Sequence, residues 1–282
     1  MIGDLVSRPF SDRRRSASAA LQLARAHLAT TRIAAFGPLA DGVWVVFTLA
    51  LRFVRVLILL AIWPTLIPQG AVVSGYALGA VLTYSLIAEV LSAQLDVRTP
   101  IGAALWSGAI ATRFTWPMPL ATLYTAEMVG GWALPTLLVA VPLLLLAPVL
   151  GVDPRPASIA DVPLFAVSLV LAVAIGVAID MACALLVVRI DLGPWVLNAA
   201  RNVVQAICSG AWVPLALLPF HLGAVFDWLP FASSASAPLR IYTGTGDPVR
   251  LIALQVFWVV VLVVAVSAAW RASRERVALY GG

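Results

Sequence analysis

The 282-residue chain has no lysine, two histidines and two cysteines, and only 11% of its residues are charged. Each scarcity removes a class of function. A phosphate-binding P-loop needs GxxxxGK followed by Ser or Thr, because the lysine reaches the terminal phosphates; a lysine-free chain carries none, so any ATP it depends on is hydrolysed by another polypeptide. Cys183 and Cys208 lie inside apolar runs and read as small core residues, since they make neither a disulfide framework nor a CxxC metal site. HExxH, GxSxG and Cys/His clusters are missing, and with them the usual metal and nucleophile constellations. His27 and His221 are isolated. The GTGD run at Gly244 to Asp247 imitates a motif of intramembrane aspartyl proteases, but that chemistry needs a second embedded aspartate facing the first. Only Asp180 is available, without the partner motif, and Pro248 makes the run a turn. The chain therefore reads as a non-enzyme that binds no metal or cofactor of its own.

What is abundant is apolar. With 62% hydrophobic residues and a mean hydropathy of +1.01, the chain is a polytopic membrane protein. Its basic charge, 18 arginines against 13 acids, flanks apolar segments, and no basic, aromatic-laced face for nucleic acid exists. Six runs are each long enough to span a bilayer: Val43 to Ile67, Val72 to Leu95, Leu120 to Leu150, Val162 to Val188, Val196 to Leu218, and Leu251 to Trp270. The third is over-long and contains Pro135, Pro142 and Pro148, so a kink or an early end is expected. Ahead of them, Met1 to Ser18 is polar and basic and reads as a loosely ordered tail. Ala19 to Ile33 places Leu21, Ala24 and Leu28 on one helical face beside Arg25 and Arg32, as a helix lying in a headgroup layer would, or equally a surface helix of a tail. Placing both termini in the cytoplasm puts 12 arginines on the inner side, three on the outer side (Arg155, Arg240, Arg250) and three within spans (Arg52, Arg55, Arg201). That asymmetry favours an even number of spans. Trp212, Trp228, Tyr242 and Trp258 fit an outer aromatic belt, and Trp106, Trp116, Trp195, Trp270 and Tyr280 an inner one.

The most informative stretch is Ser209 to Gly244. It is too greasy for an aqueous loop, yet Pro214, Pro219, Pro230 and Pro238 forbid one continuous helix, so it is expected to dip into the membrane and return, with Phe220 to Leu229 as a helical piece of about 15 Å. A second segment, Asp96 to Pro117, has Pro100 opening a helix, then Gly108, Arg113 and Pro117. These two stretches, together with the Trp270-Arg271 to Gly282 ending, resemble the ABC-2 type permeases, the membrane subunits of ABC exporters. Arg52 and Arg55 in the first span depart from that pattern.

The resemblance implies an all-α membrane protein of six transmembrane helices, with residues 1–41 a tail and interfacial elbow helix and residues 42–282 the transmembrane domain. It implies a cytoplasmic coupling helix docking on two ATPase subunits (Asp96, Arg98, Thr99, Trp106, Arg113). It also implies extracellular re-entrant helices forming an outer gate (Pro214, Pro219, Phe220, Leu229, Pro230, Phe231). The implied partners are those ATPases, carrying the ATP and Mg, a second permease chain, identical or paralogous, and membrane lipid. The implied activity is export of a hydrophobic or amphipathic substrate across a bacterial plasma membrane.

Polar residues inside spans are expensive and so point to function. Asn198, Arg201, Asn202, Gln205 and Ser209 recur at spacings of three and four and share one helical face. That face turns away from lipid, either lining a transport path or dimer interface or making helix-to-helix hydrogen bonds. Arg52 and Arg55, one turn apart, are expected to snorkel to the inner headgroups. Glu89 and Asp180 read as solvated or paired near the inner ends of their spans. Glu127 stands beside Gly130 and Gly131, where small residues permit close helix approach. A secondary transporter of similar topology is the competing reading; it needs an intramembrane proton or ion relay and commonly shows inverted repeats, neither of which is evident.

Overall fold

The structure, a computed structural model, describes residues 8–37, 39, 42–113, 120–190 and 192–273. Expectations placed on Trp116, Pro117, Arg274, Arg276 and Tyr280 to Gly282 lie outside the described residues. The architecture is helical apart from one two-residue hairpin. Among the described residues, four helices are long and apolar enough to cross a membrane: Val45–Leu66, Thr122–Leu146, Ile159–Ile190 and Pro248–Ala272.

Helix α1 (Arg8–Phe36) starts well before the expected Ala19, so the basic segment from Arg8 onward is helical rather than loose. It packs along α7 (Leu120–Gly131). The contact point is Gly130, where an added Cβ would stand 2.4 Å from the Thr31 carbonyl oxygen and 2.7 Å from Ala34 Cβ. The close approach expected at this glycine pair is therefore real, and its partner is α1.

Helix α2 (Val43–Leu66) forms the first span and tolerates Pro64 in its last turn. The second apolar run behaves differently from expectation. Val72–Val73 (β1) and Tyr76–Ala77 (β2) pair as an antiparallel hairpin. Its two turn residues, Ser74 and Gly75, both have positive φ, the tight-turn geometry that matches strand twist. The helix consequently begins only at α3 (Leu78–Val90), pauses at Leu91 and resumes as α4 (Ser92–Leu95). Short helices α5 (Ile101–Trp106), which follows Pro100, and α6 (Ile110–Arg113) complete the connection to α7.

The over-long third run stays helical through Pro135. Helix α7 passes through α8 (Ala133–Pro135) and a π-helical turn, Thr136–Ala140, into α9 (Val141–Leu146). A π turn admits an extra residue per loop of the ladder, which accommodates backbone groups that Pro135 and Pro142 leave without donors. The run ends at Leu146, before Pro148.

Helix α10 (Val162–Ile190), about 43 Å long at 1.5 Å per residue, is the hub. It packs against α5, against α13 (Pro230–Tyr242) and against α14 (Pro248–Ala272). Helix α13 is made of small residues, and Ala232 to Leu239 are all buried, so α10 and α14 close around it. Gln255 of α14, fully buried, clamps this sandwich: its Nε2 donates to the carbonyls of Ser168 (3.0 Å) and Ser233 (2.8 Å). Asp247 caps α14 by accepting from Val249 N–H at 3.0 Å, which confirms Gly244 to Asp247 as a turn entering the last helix.

Three proline expectations need correction. Helix α11 (Pro194–Cys208) stops ten residues before Leu218, because Gly210 takes φ +73° and its carbonyl accepts the buried Tyr84 hydroxyl at 2.7 Å. The helical piece expected at Phe220 to Leu229 shrinks to α12 (Leu222–Phe226), after Phe220 and His221 both adopt left-handed backbone. Pro238 does not interrupt anything; it sits inside α13, while Pro230 opens that helix at its first position, where a missing N–H is harmless.

Two ends can be distinguished. The lower end gathers residues 92–113, Arg189 and Ser273, the last two joined by a 3.0 Å hydrogen bond. The upper end gathers the hairpin, the 147–161 connection and residues 209–247, tied by Tyr242 Oη donating to the Pro154 carbonyl (2.5 Å) and by Thr245 donating to Tyr76 Oη (3.2 Å). Burial pushes the Tyr76 phenol above its usual pKa, so it stays a neutral hydrogen-bonding group.

Gly130→Leu is expected to lever α1 off α7, lowering stability by about 1–3 kcal/mol as overpacking does. Thermal unfolding of the variant beside the unaltered protein in one detergent checks it.

Candidate functional site

A groove of about 260 Å³ runs along one side of the molecule between α2, the α3–α4 break and α11. Its walls carry Arg52 and Arg55 from α2, Ser92, Asp96 and Arg98 from the α4 region, and Asn202, Gln205 and Ser209 from α11, with Trp212 at the upper end.

The polar face of α11 turns inward, as its spacing requires. Arg201 is its centre, with a side chain only 2% exposed. Its Nη1 donates to Asp180 Oδ1 at 2.6 Å and its Nη2 to the Val97 carbonyl at 2.7 Å. The other Asp180 oxygen accepts from Thr99 N–H (2.9 Å) and Thr99 Oγ1 (2.6 Å). One buried ion pair thus joins α10, α11 and the 96–99 segment. Such a pair is tolerable away from water when its remaining lone pairs and protons are also engaged; here both Asp180 oxygens and both terminal guanidinium nitrogens have partners, and Arg201 Nε is left without one.

Around this centre the other stripe residues divide. Gln205 donates to the Leu95 carbonyl at 3.1 Å, and Asn202 accepts from Arg98, so both line the groove and hold the 95–98 backbone. Ser209 is buried, and its carbonyl accepts from Ser236 N–H of α13 at 3.1 Å, which makes it part of the packing. Asn198 lies below, in a small recess with Thr99, Gly102 and Asp180. Asn202 and Gln205 thus border the groove, while Arg201 and Ser209 bond to neighbouring elements.

Arg52 and Arg55 do not snorkel. They lie about 13 and 18 Å along a helix about 36 Å long, too far from its start for the headgroups to be the nearest partner. Both meet Glu89 of α3: Arg52 Nη1 stands 3.8 Å from Oε1, and Arg55 forms a close ion pair with Oε2. Arg52 also donates to Ser92 Oγ at 2.7 Å, and Arg55 lies over the Trp212 ring at 5.1 Å. Glu89, 3% exposed, is buried and paired rather than solvated. Nothing singled it out as a site residue in the sequence, although a signal was there. The first apolar run carries two arginines and no acid, the second one acid and no arginine, and consecutive antiparallel helices bring them together.

The residues expected to couple to an ATPase sit at the lower end. Asp96 and Arg98 pair with each other (2.8 Å), and Thr99 is held by Asp180. Trp106 is partly exposed and meets Trp195 edge-on at 5.8 Å. Arg113 makes two bonds to Glu127, at 2.7 and 2.8 Å, and lies over the Tyr124 ring. Ile101, Ala104 and Leu105 bury the inner face of α5 against Ala184 and Val188 of α10. The other side of α5, with Ala103 and Trp106, is exposed.

The residues expected at an outer gate do not converge on the groove. Pro214 is buried and opens a 3-10 turn, Leu215–Leu217. Pro219 is exposed and Phe220 is 89% exposed. Leu229, Pro230 and Phe231 form the half-buried start of α13. Between them lies a second cavity, of about 420 Å³, whose floor holds Asp227 bonded to Arg240 at 2.6 Å.

Fold and site together describe a helical membrane protein with a charged groove bound by ion pairs to a packed lower loop. The family described as ABC-2 family transporter protein matches residues 51–277, and the chain belongs to it. No match is found among curated proteins or among solved structures.

Asp180→Asn leaves buried Arg201 with only the longer 3.7 Å contact to Asp96 as counter-charge and is expected to lower stability by about 3 kcal/mol, whereas the apolar double replacement Asp180→Leu/Arg201→Met recovers much of that loss. Thermal unfolding of the two variants and the unaltered protein in one detergent measures both effects.

Proposed function

We propose that the chain is the membrane subunit of an ATP-driven exporter and works as one half of a dimeric pore, facing an identical or related chain, with two separate ATPase subunits docked at the lower end. On this reading the lower end and both termini are cytoplasmic and the membrane is a bacterial plasma membrane. The chain crosses it six times, with α3–α4 and α11 as spans shorter than the four long ones. Helix α1 lies at the inner headgroup layer as an elbow; its exposed Leu21, Leu28, Ile33 and Phe36 support that placement. Helix α5 is the coupling helix, and residues 209–242 are the re-entrant region beneath the outer surface.

The observation that carries this reading is the joint at Asp180. Because Thr99, Val97 and Arg201 all converge there, a displacement imposed on the 96–106 segment from below is transmitted directly to α11, the wall of the groove. An interface with two arrangements, driven through such a joint by an external source of free energy, is a general way to build a switch. Cargo of hydrophobic or amphipathic character would enter from the cytoplasm or inner leaflet and leave past the upper cavity. A proton-coupled secondary transporter is less well supported, because Glu89, Glu127 and Asp180 are each tied to arginine rather than free to exchange protons.

Affinity purification of the full chain in mild detergent is expected to recover a stoichiometric ATPase chain, and Arg98 or Arg113 substitutions to impair export. Recovery of the protein without any ATPase, with export indifferent to both substitutions, would overturn the reading. Topology is checked separately at exposed Ala224. In a background lacking Cys183 and Cys208, Ala224→Cys should react with a membrane-impermeant maleimide applied from outside the cell; labelling from the cytoplasmic side only would invert the orientation.

A further inference from the structure

The charges of the groove do not balance locally. Asp180 pairs with Arg201, and Asp96 pairs with Arg98 while its other oxygen stands 3.7 Å from Arg201, so these two carboxylates answer Arg98 and Arg201 together. Arg52 and Arg55 share one carboxylate, Glu89. The other described carboxylates are occupied on α7, where Glu127 binds Arg113, or stand at the upper end, as Asp153, Asp161, Asp227 and Asp247 do. The α2 wall therefore keeps a net charge of +1 about midway along a helix that is otherwise apolar.

Geometry makes that charge available. Glu89 is buried beneath the two guanidinium groups, whose side chains remain 31% and 34% exposed toward the groove. Each guanidinium has five N–H donors. Arg52 directs one nitrogen to Ser92 and Glu89, and Arg55 directs one to Glu89 while its plane rests over Trp212. The remaining donors border the groove, and the Trp212 ring fixes the Arg55 plane, so less freedom is lost when an anion is bound. Apolar surface lies within the groove beside the seat: Ala88, Leu95, Ala206 and Ala211 line it together with the Trp212 ring. The groove thus offers a fixed cationic seat for an acidic head and an apolar surround for a tail.

We infer that the Arg52–Arg55 pair binds the anionic headgroup, carboxylate or phosphate, of an amphiphile lying in this groove. The inference rests on the transport reading only in taking the groove as the path; the binding itself requires no ATPase. Charge-assisted, two-pronged recognition of carboxylate or phosphate is what paired guanidinium groups do best. A cationic amphiphile meets repulsion at the same place.

The test uses the full chain in an uncharged maltoside detergent, with dodecyl phosphate as the probe and its binding read as a saturable rise in unfolding temperature. Dodecyl trimethylammonium at the same concentrations is expected to give no rise. Arg52→Gln/Arg55→Gln is expected to weaken dodecyl phosphate binding by about tenfold or more, the scale of one charge-assisted hydrogen bond, and Arg52→Lys/Arg55→Lys by less. Because the Gln variant strands Glu89, Glu89→Gln supplies the opposite test: it removes a buried acid isosterically, raises the local charge to +2, and is expected to tighten binding. Equal binding of the cationic amphiphile, or a folded Glu89→Gln protein that binds dodecyl phosphate no tighter, overturns the proposal. Phosphatidylglycerol in phosphatidylcholine nanodiscs separates the two sources of the headgroup: if it displaces the probe, a lipid fills the seat, and if it does not, a single-chain cargo does. Failure of the binding test alongside recovery of an ATPase removes only the anionic seat; the converse removes only the exporter.

Discussion

The structure depends on one ion pair placed where water is scarce. Arg201 and Asp180 each have less than a tenth of their side chain exposed, and Asp180 receives three donors while Arg201 also serves the Val97 carbonyl. A buried pair of this kind contributes little net stability compared with apolar side chains of the same volume. Its effect is to specify arrangement. The 96–99 segment has no helix or strand of its own to fix it, and these bonds give its backbone a single position against α10 and α11.

Around that joint the molecule uses two different kinds of packing. Below and beside the groove, contacts are polar and directional: Gln205 to Leu95, Arg98 to Asn202, Arg113 to Glu127. Above, the α10, α13 and α14 sandwich relies on small side chains and on Gln255, whose amide bonds two backbone carbonyls. Within lipid there is no hydrophobic driving force between helices, so close approach of small residues and interhelical hydrogen bonds must supply association. A directional joint moves as a unit because every bond in it would have to break together. A small-residue interface can slide, because no single contact dominates it. The lower half is therefore the rigid part and the upper sandwich the part suited to rearrangement.

Much of this was legible in the sequence where one residue type acts through local backbone chemistry or helical period. The inward turn of Asn198, Arg201, Asn202 and Gln205 followed from spacing alone, and the start of α5 after Pro100 and the close approach at Gly130 from residue type. What was not legible depended on distant partners. The end of α11 at Cys208 is set by Gly210 together with the hydroxyl of Tyr84, 126 positions earlier. The late start of α3 comes from a Ser74–Gly75 turn inside a run whose composition is that of a helix. Pro238 was read as a breaker because proline usually is one, yet neighbours packed around α13 hold the helix through it. Arg52 and Arg55 were assigned to the headgroups because a lone arginine in a span has no cheaper partner; Glu89 is that partner, and only tertiary structure brings it within reach.

The absence of lysine acquires a physical meaning from these contacts. Four arginines of the groove and the lower end each serve more than one partner: Arg201 a carboxylate and a carbonyl, Arg113 both oxygens of Glu127 and an aromatic face, Arg52 a hydroxyl and a carboxylate, Arg55 a carboxylate and the Trp212 ring. A lysine ammonium is a compact point charge that cannot span two such partners in one plane, and it loses its proton readily when buried. Guanidinium keeps its charge under the same conditions and can hold both partners in one plane. Fixed charges can orient a headgroup or lock a loop, but they cannot carry protons down a gradient. Among the described residues, Glu89, Glu127 and Asp180 are each fastened in this way, so the charges about the groove and the lower joint hold the arrangement of helices.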